Sequence, residues 1–79
     1  MEKIEIAANI NSENSYVREA LAQNSATPPE ILAQLASDKN LWVRAAVAKN
    51  PHAPAEALAE LAKDNYWQVR EAAKIAGQR

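Results

Sequence analysis

The chain has no cysteine and no phenylalanine, and only one glycine and one histidine among 79 residues. Without thiols there is no disulfide framework, thiolate metal site, iron–sulfur centre or cysteine nucleophile. One histidine excludes a multi-histidine metal site, and one glycine excludes a phosphate-cradling glycine loop. No apolar run exceeds four residues, which is too short to cross a bilayer. The start, Met1 to Ile6, lacks the basic and then continuously apolar pattern of a signal peptide. The end, Ala76-Gly77-Gln78-Arg79, carries no lipidation signal. These absences point to a soluble, cytoplasmic protein. Nine Lys+Arg against ten Asp+Glu leave a net charge of −1, without the basic excess of a nucleic-acid binder.

Large apolar side chains are also scarce. Alanine supplies 18 residues, almost half of the 48 % hydrophobic content. A compact globule of this size with so few bulky anchors would be marginal. An internal repeat resolves the difficulty. Val17-Arg18 recurs as Val43-Arg44 and Val69-Arg70, in steps of 26 residues. In the same register Asn24 recurs as Asn50, Pro28 and Glu30 as Pro54 and Glu56, and Leu32, Ala33, Leu35 and Ala36 as Leu58, Ala59, Leu61 and Ala62. Asp38 recurs as Asp64, with Ser12 one period earlier.

Each repeat reads as two short helices. Val17, Ala20, Leu21 and Asn24, and their counterparts Val43, Ala46, Val47 and Asn50, give the first helix its apolar stripe at i, i+3, i+4, i+7. Leu32, Leu35 and Ala36, then Leu58, Leu61 and Ala62, do so for the second. Thr27-Pro28-Pro29-Glu30 predicts a helix start with Thr27 as N-cap and Glu30 closing a capping box. Ala53 replaces that threonine one period later, which predicts a weaker cap. Asn50 to Pro54 must break the chain, and Gly77 should end the last helix. A helix pair this short cannot bury its stripe alone, so consecutive pairs must stack, and alanine at the contacts lets helices approach closely. The expected fold is all-α, a short α-solenoid of about two and a half two-helix repeats. One repeat domain spans 1–79, with a degenerate half-repeat at 1–11, repeats at 12–37 and 38–63, and a C-terminal half-repeat at 64–79.

The run from Asp38 to Pro51 with the Pro54-led helix up to Asp64 resembles the leucine-rich repeat variant (LRV) family, which is itself similar to HEAT and armadillo repeats. The resemblance covers about residues 12–76. It implies a right-handed superhelix used as a binding scaffold. Some longer relatives carry a cysteine cluster for an iron–sulfur centre, which this chain cannot form. The 26-residue period is slightly longer than the family's usual spacing, and Asn24 is followed by Ser25 where a proline is expected.

Arg18, Arg44 and Arg70, one per repeat, form a ladder. They could hold a phosphate backbone or an acidic ligand. The structural alternative is a bond to Asp38 or Asp64, or to helix-end carbonyls of the neighbouring repeat, and the aspartate six residues before the arginine in the later copies favours a repeated internal pair. Tyr16, Trp42, Tyr66 and Trp67 gather at or just before each Val-Arg. They are candidate partner-binding anchors, the residue types that dominate interface hot spots, or fillers of gaps left by alanine. Tyr16 is expected to lean towards the core, and the two tryptophans are evenly balanced. Asn24 and Asn50 should satisfy backbone groups in the turns. His52 reads as a surface turn residue, and Glu56, Glu60 and Asp64 as a solvated face.

No nucleophile–base–orienter set can be assembled, so no catalytic residue, metal or cofactor is expected and the chain is not read as an enzyme. The expected function is a protein–protein interaction scaffold. One alternative is a self-assembling homodimer that buries exposed stripes at Ile4, Ile6 and Ile10 or on the truncated last repeat. The other is weak binding of nucleic acid or an acidic ligand through the arginine ladder.

Overall fold

The computed structural model describes residues 10–78, and these contain five α-helices and no strand. They are α1 (Ser15–Gln23), α2 (Pro29–Leu35), α3 (Leu41–Lys49), α4 (Ala55–Leu61) and α5 (Trp67–Ala76). The 26-residue register places α1, α3 and α5 as equivalents, and α2 and α4 likewise. The α3 helix packs on α1 on one side and α5 on the other, while α2 and α4 pack across the joints between them. This is a short helical stack with first helices in one layer and second helices in the other. Ile4 and Ile6, and the half-repeat expected at 1–11 apart from its last two residues, lie outside the described residues.

The sandwiched position of α3 explains its composition. Val43, Ala45, Ala46, Val47 and Ala48 are all buried, on nearly every side of the helix. Alanine at three of these positions keeps both neighbouring axes close, at roughly 8–9 Å for such small contacts. The largest fully buried side chains are Leu32, Leu35, Leu61, Val43, Val47 and Val69, so the core is aliphatic. Ile10, Ile31, Ala36, Leu41, Ala53 and Leu58 pack against its margin. The expected stripe of α1 is only partly covered, since Leu21 is buried but Ala20 is exposed.

The helix starts differ between the two layers. Asn14 caps α1 and Asn40 caps α3, each accepting the backbone N–H two residues on (Tyr16 at 2.9 Å, Trp42 at 2.8 Å). Tyr66 takes this place before α5 and gives no side-chain cap. The cap expected at Thr27 does not form. Pro28 takes the extended conformation of an N-cap residue (ψ 150°), so α2 starts one residue later than expected, without a side-chain cap or capping box. Thr27 instead donates its buried hydroxyl to the Leu21 carbonyl at 2.7 Å and ties the turn to the end of α1. The α4 helix starts the same way after Pro54, so the expected difference in capping between the two copies is absent. Gly77 does follow α5, but with right-handed backbone (φ −69°), so no left-handed cap requires glycine there.

Candidate interaction surface and its Arg–Asp latches

Arg18 and Arg44 are internal ties, and their carboxylate partners lie ahead of them in the sequence. Arg18 donates from Nε to Asp38 Oδ2 at 2.7 Å and from Nη2 to Oδ1 at 3.2 Å. Arg44 does the same to Asp64, at 2.7 and 3.1 Å. The aspartate six residues before the arginine, expected as the ion-pair partner, contributes its backbone instead. Arg44 Nη1 donates to the Asp38 carbonyl at 2.6 Å, and Arg18 Nη1 to the Ser12 carbonyl at 2.6 Å. The geometry explains this division. Asp38 Oδ1 also accepts the Asn40 backbone N–H at 2.9 Å, which turns that carboxylate back towards the preceding repeat and away from Arg44.

Both pairs are nearly covered, with side-chain exposures of 7 % and 8 % for Arg18–Asp38 and 14 % and 10 % for Arg44–Asp64. The hydrogen bonds from Arg44 hold the Asp64 carboxyl below its ordinary value of 3.8; desolvation opposes this, and the Tyr66 backbone N–H assists it. Reciprocally, the bonds to Asp64 hold the Arg44 guanidinium above its usual range. Arg70 differs. It is exposed, its Nη1 donates to the carbonyls of Asp64 at 2.8 Å and Asn65 at 3.0 Å, and no carboxylate of the described residues meets its Nε–Nη2 edge.

Asn50 adds a second tie between repeats. Its buried side-chain Nδ2 donates to Ala22 O at 2.8 Å and Asn24 O at 3.0 Å, while Oδ1 accepts the His52 N–H. Asn24 makes the turn bond alone among the described residues, accepting the Ala26 N–H at 2.8 Å. The N-caps Asn14 and Asn40 are not singled out by the repeat reading, although they too stand in the 26-residue register.

The aromatic residues all lie outside the core. Tyr16 is 78 % exposed, Trp67 65 %, Trp42 51 % and Tyr66 49 %. Tyr16, in the first turn of α1, therefore does not lean towards the core. Tyr16, Trp42 and Trp67 occupy the first turns of α1, α3 and α5, and Tyr66 immediately precedes α5, so together they follow one edge of the stack. Tyr66 also lies under Arg44, whose Cζ is 5.7 Å from the ring centroid.

A groove of about 400 Å³ runs between α2 and α4, lined in part by Ala33, Ala57 and Leu61 with Glu56, Glu60 and Asp64. Glu56 and Glu60 are exposed, but Asp64 is held by Arg44, so the three carboxylates are not one solvated face. His52 is exposed in its turn. Among the described residues no helix is long and apolar enough to cross a membrane.

Comparison with curated proteins and with solved structures finds no match. A family model, the leucine rich repeat variant, matches two adjacent stretches, residues 17–40 and 41–65. Together they cover more than half of the chain and span both Arg–Asp latches except for Ser12. This repeating architecture, carried by two adjacent copies of one helical unit, places the chain in the leucine rich repeat variant family.

Proposed function

We propose that the chain is a non-catalytic protein-interaction module whose binding surface is the aromatic edge formed by Tyr16, Trp42, Tyr66 and Trp67. One observation carries this reading. The chain is short of large apolar side chains, yet every aromatic it has stays on the surface while alanine, leucine and valine fill the core. Burying large aromatics is the most direct way to stabilise a small domain. Keeping them half to mostly exposed on one edge fits anchors for a partner.

The competing readings have less support. A ladder for nucleic acid needs free guanidinium groups, and those of Arg18 and Arg44 are engaged by aspartates. Self-association through an open apolar stripe on the last helix fits poorly with α5, where Glu71 and Lys74 stand exposed at the positions of the buried Ala45 and Ala48.

The test replaces Trp42 and Trp67 by alanine, singly and together. Helix content by circular dichroism should stay unchanged, while binding to proteins captured by the unmodified chain should be lost. Equal loss of fold and binding would place these side chains in the core and end the proposal. A mass in solution above 8.6 kDa at micromolar concentration, lost with the same substitutions, would turn the edge into a dimer interface.

A further inference from the structure

We infer that Arg70 is a pre-oriented receptor for a carboxylate, and that the outward face of α5 around it docks an acidic segment of another polypeptide. The same arginine rig occurs three times in the stack. In each copy Nη1 is anchored on a backbone carbonyl from the turn before the helix, at 2.6, 2.6 and 2.8 Å. In two copies the Nε–Nη2 edge then grips an aspartate through two parallel bonds. The chain itself thus shows, twice, which ligand this rig takes: a carboxylate, side-on, at the geometry in which a guanidinium binds best. Arg70 has the anchor, doubled by the Asn65 carbonyl, and presents its edge to solvent.

The neighbours of Arg70 say what kind of partner fits. Trp67, Arg70, Glu71 and Lys74 form one exposed stripe at i, i+3, i+4, i+7. Their equivalents on α3 are Leu41, Arg44, Ala45 and Ala48, the face that α5 covers. The face of α5 has therefore been changed from an apolar joint to a surface with two cations, one anion and an indole. Lys74 replaces alanines that are 0 % exposed in both earlier copies, so another repeat cannot approach as closely as α3 approaches α1. A second copy stacked in register would also bring Ser12, not an aspartate, to Arg70. The occupant that fits is a flexible acidic segment with a carboxylate for Arg70, a second acidic group within reach of Lys74, and an apolar side chain to lie on Trp67. This goes beyond the aromatic-edge proposal, since a carboxylate on Arg70 requires neither Tyr16 nor Trp42.

The arginine Nε–H groups can be followed by proton–nitrogen NMR while the peptide acetyl-Leu-Asp-Asp-Leu-amide is added. The Arg70 signal should move saturably together with the Trp67 indole N–H, and those of Arg18 and Arg44 should stay. The matching peptide with asparagine in place of aspartate should produce no shift. Arg70→Lys keeps the charge but loses the fork, and should weaken binding about fivefold. Unchanged affinity in Arg70→Lys, or an Arg70 signal that does not move at saturating peptide, overturns the inference. So does displacement of the peptide by inorganic phosphate at equal or lower concentration, which would make the site a phosphate receptor. The shift in the unmodified chain decides the matter even if the variant fails to fold. Loss of partner capture in the Trp42 variant with this titration intact would separate the two proposals.

Discussion

Arg44 grips Asp64, 20 residues ahead, through two hydrogen bonds of 2.7 and 3.1 Å, and so fastens one repeat to the turn that opens the next. The same relationship joins Arg18 to Asp38. These latches close the rim of a stack whose interior consists of small contacts.

Arg44→Gln should cost about 2–3 kcal/mol, because it leaves a nearly buried carboxylate without its partner. Arg70→Gln should change stability by no more than about 0.5 kcal/mol, as expected of an exposed side chain. Urea unfolding of the two variants beside the parent measures both values. Equal losses would show that the latch adds nothing to the fold.

The depressed carboxyl of Asp64 links stability to acid. A group whose folded value lies below its unfolded one stabilises fully above the ordinary value, here 3.8, and loses that contribution as pH falls through the lower folded value. Thermal melts between about pH 6 and about pH 2 should therefore show stability declining at the acid end. Asp64→Asn should be less stable near neutrality and decline less steeply. An identical acid slope in the variant would assign the decline to other carboxyls.

Asn50→Ala should cost about 2 kcal/mol, since it removes two donors from carbonyls of the preceding repeat and one acceptor from its own turn. Asn24→Ala should cost about 1 kcal/mol, for the turn bond alone. Asn50→Asp should be worse than Asn50→Ala, because it sets a carboxylate against two carbonyl oxygens. Chemical denaturation ranks the three variants, and the opposite order would contradict the bonds described.

Among the described residues, Gln68 has a buried Oε1 with no hydrogen-bond partner. Replacing it with leucine removes an unsatisfied acceptor and should raise stability by about 1 kcal/mol. Differential scanning calorimetry would show this as a higher melting temperature. A lower one would mean that the amide makes a contribution that its bonding does not reveal.

The repeat, the two-helix unit and the alanine-lined joints are legible in the spacing of Val-Arg, Asn and Leu alone. The ion-pair partner is not, for an arithmetical reason. In a 26-residue period, the aspartate six residues behind an arginine and the one 20 residues ahead occupy the same register position, so the pattern cannot tell them apart. Only the irregular ends carry the distinction. Arg18 has Ser12 behind and Asp38 ahead, and Ser12 keeps the turn bond to the Asn14 N–H at 3.1 Å without supplying a carboxylate. The exposure of Tyr16 is illegible for another reason, because periodicity marks a helix face but not how far the neighbouring helices cover its first turn. Thr27 has the residue type of a cap, but its hydroxyl goes to the Leu21 carbonyl and the helix starts after Pro28, as its counterpart starts after Pro54.

Asp38 takes Arg18 on its carboxylate and offers Arg44 its carbonyl, so each aspartate serves the repeat behind and the repeat within. The consequence is one of inheritance. A 26-residue window that holds Asp38 or Asp64, pasted beside itself, would encode an arginine that finds an aspartate and an aspartate that finds an arginine. Lengthening by a whole period drawn from between Ser12 and Glu71 therefore keeps the Arg–Asp register, while an insertion of another length inside the 20-residue span of a latch parts its arginine from its aspartate. The unit of growth in such a chain is the period, and not the helix or the helix pair.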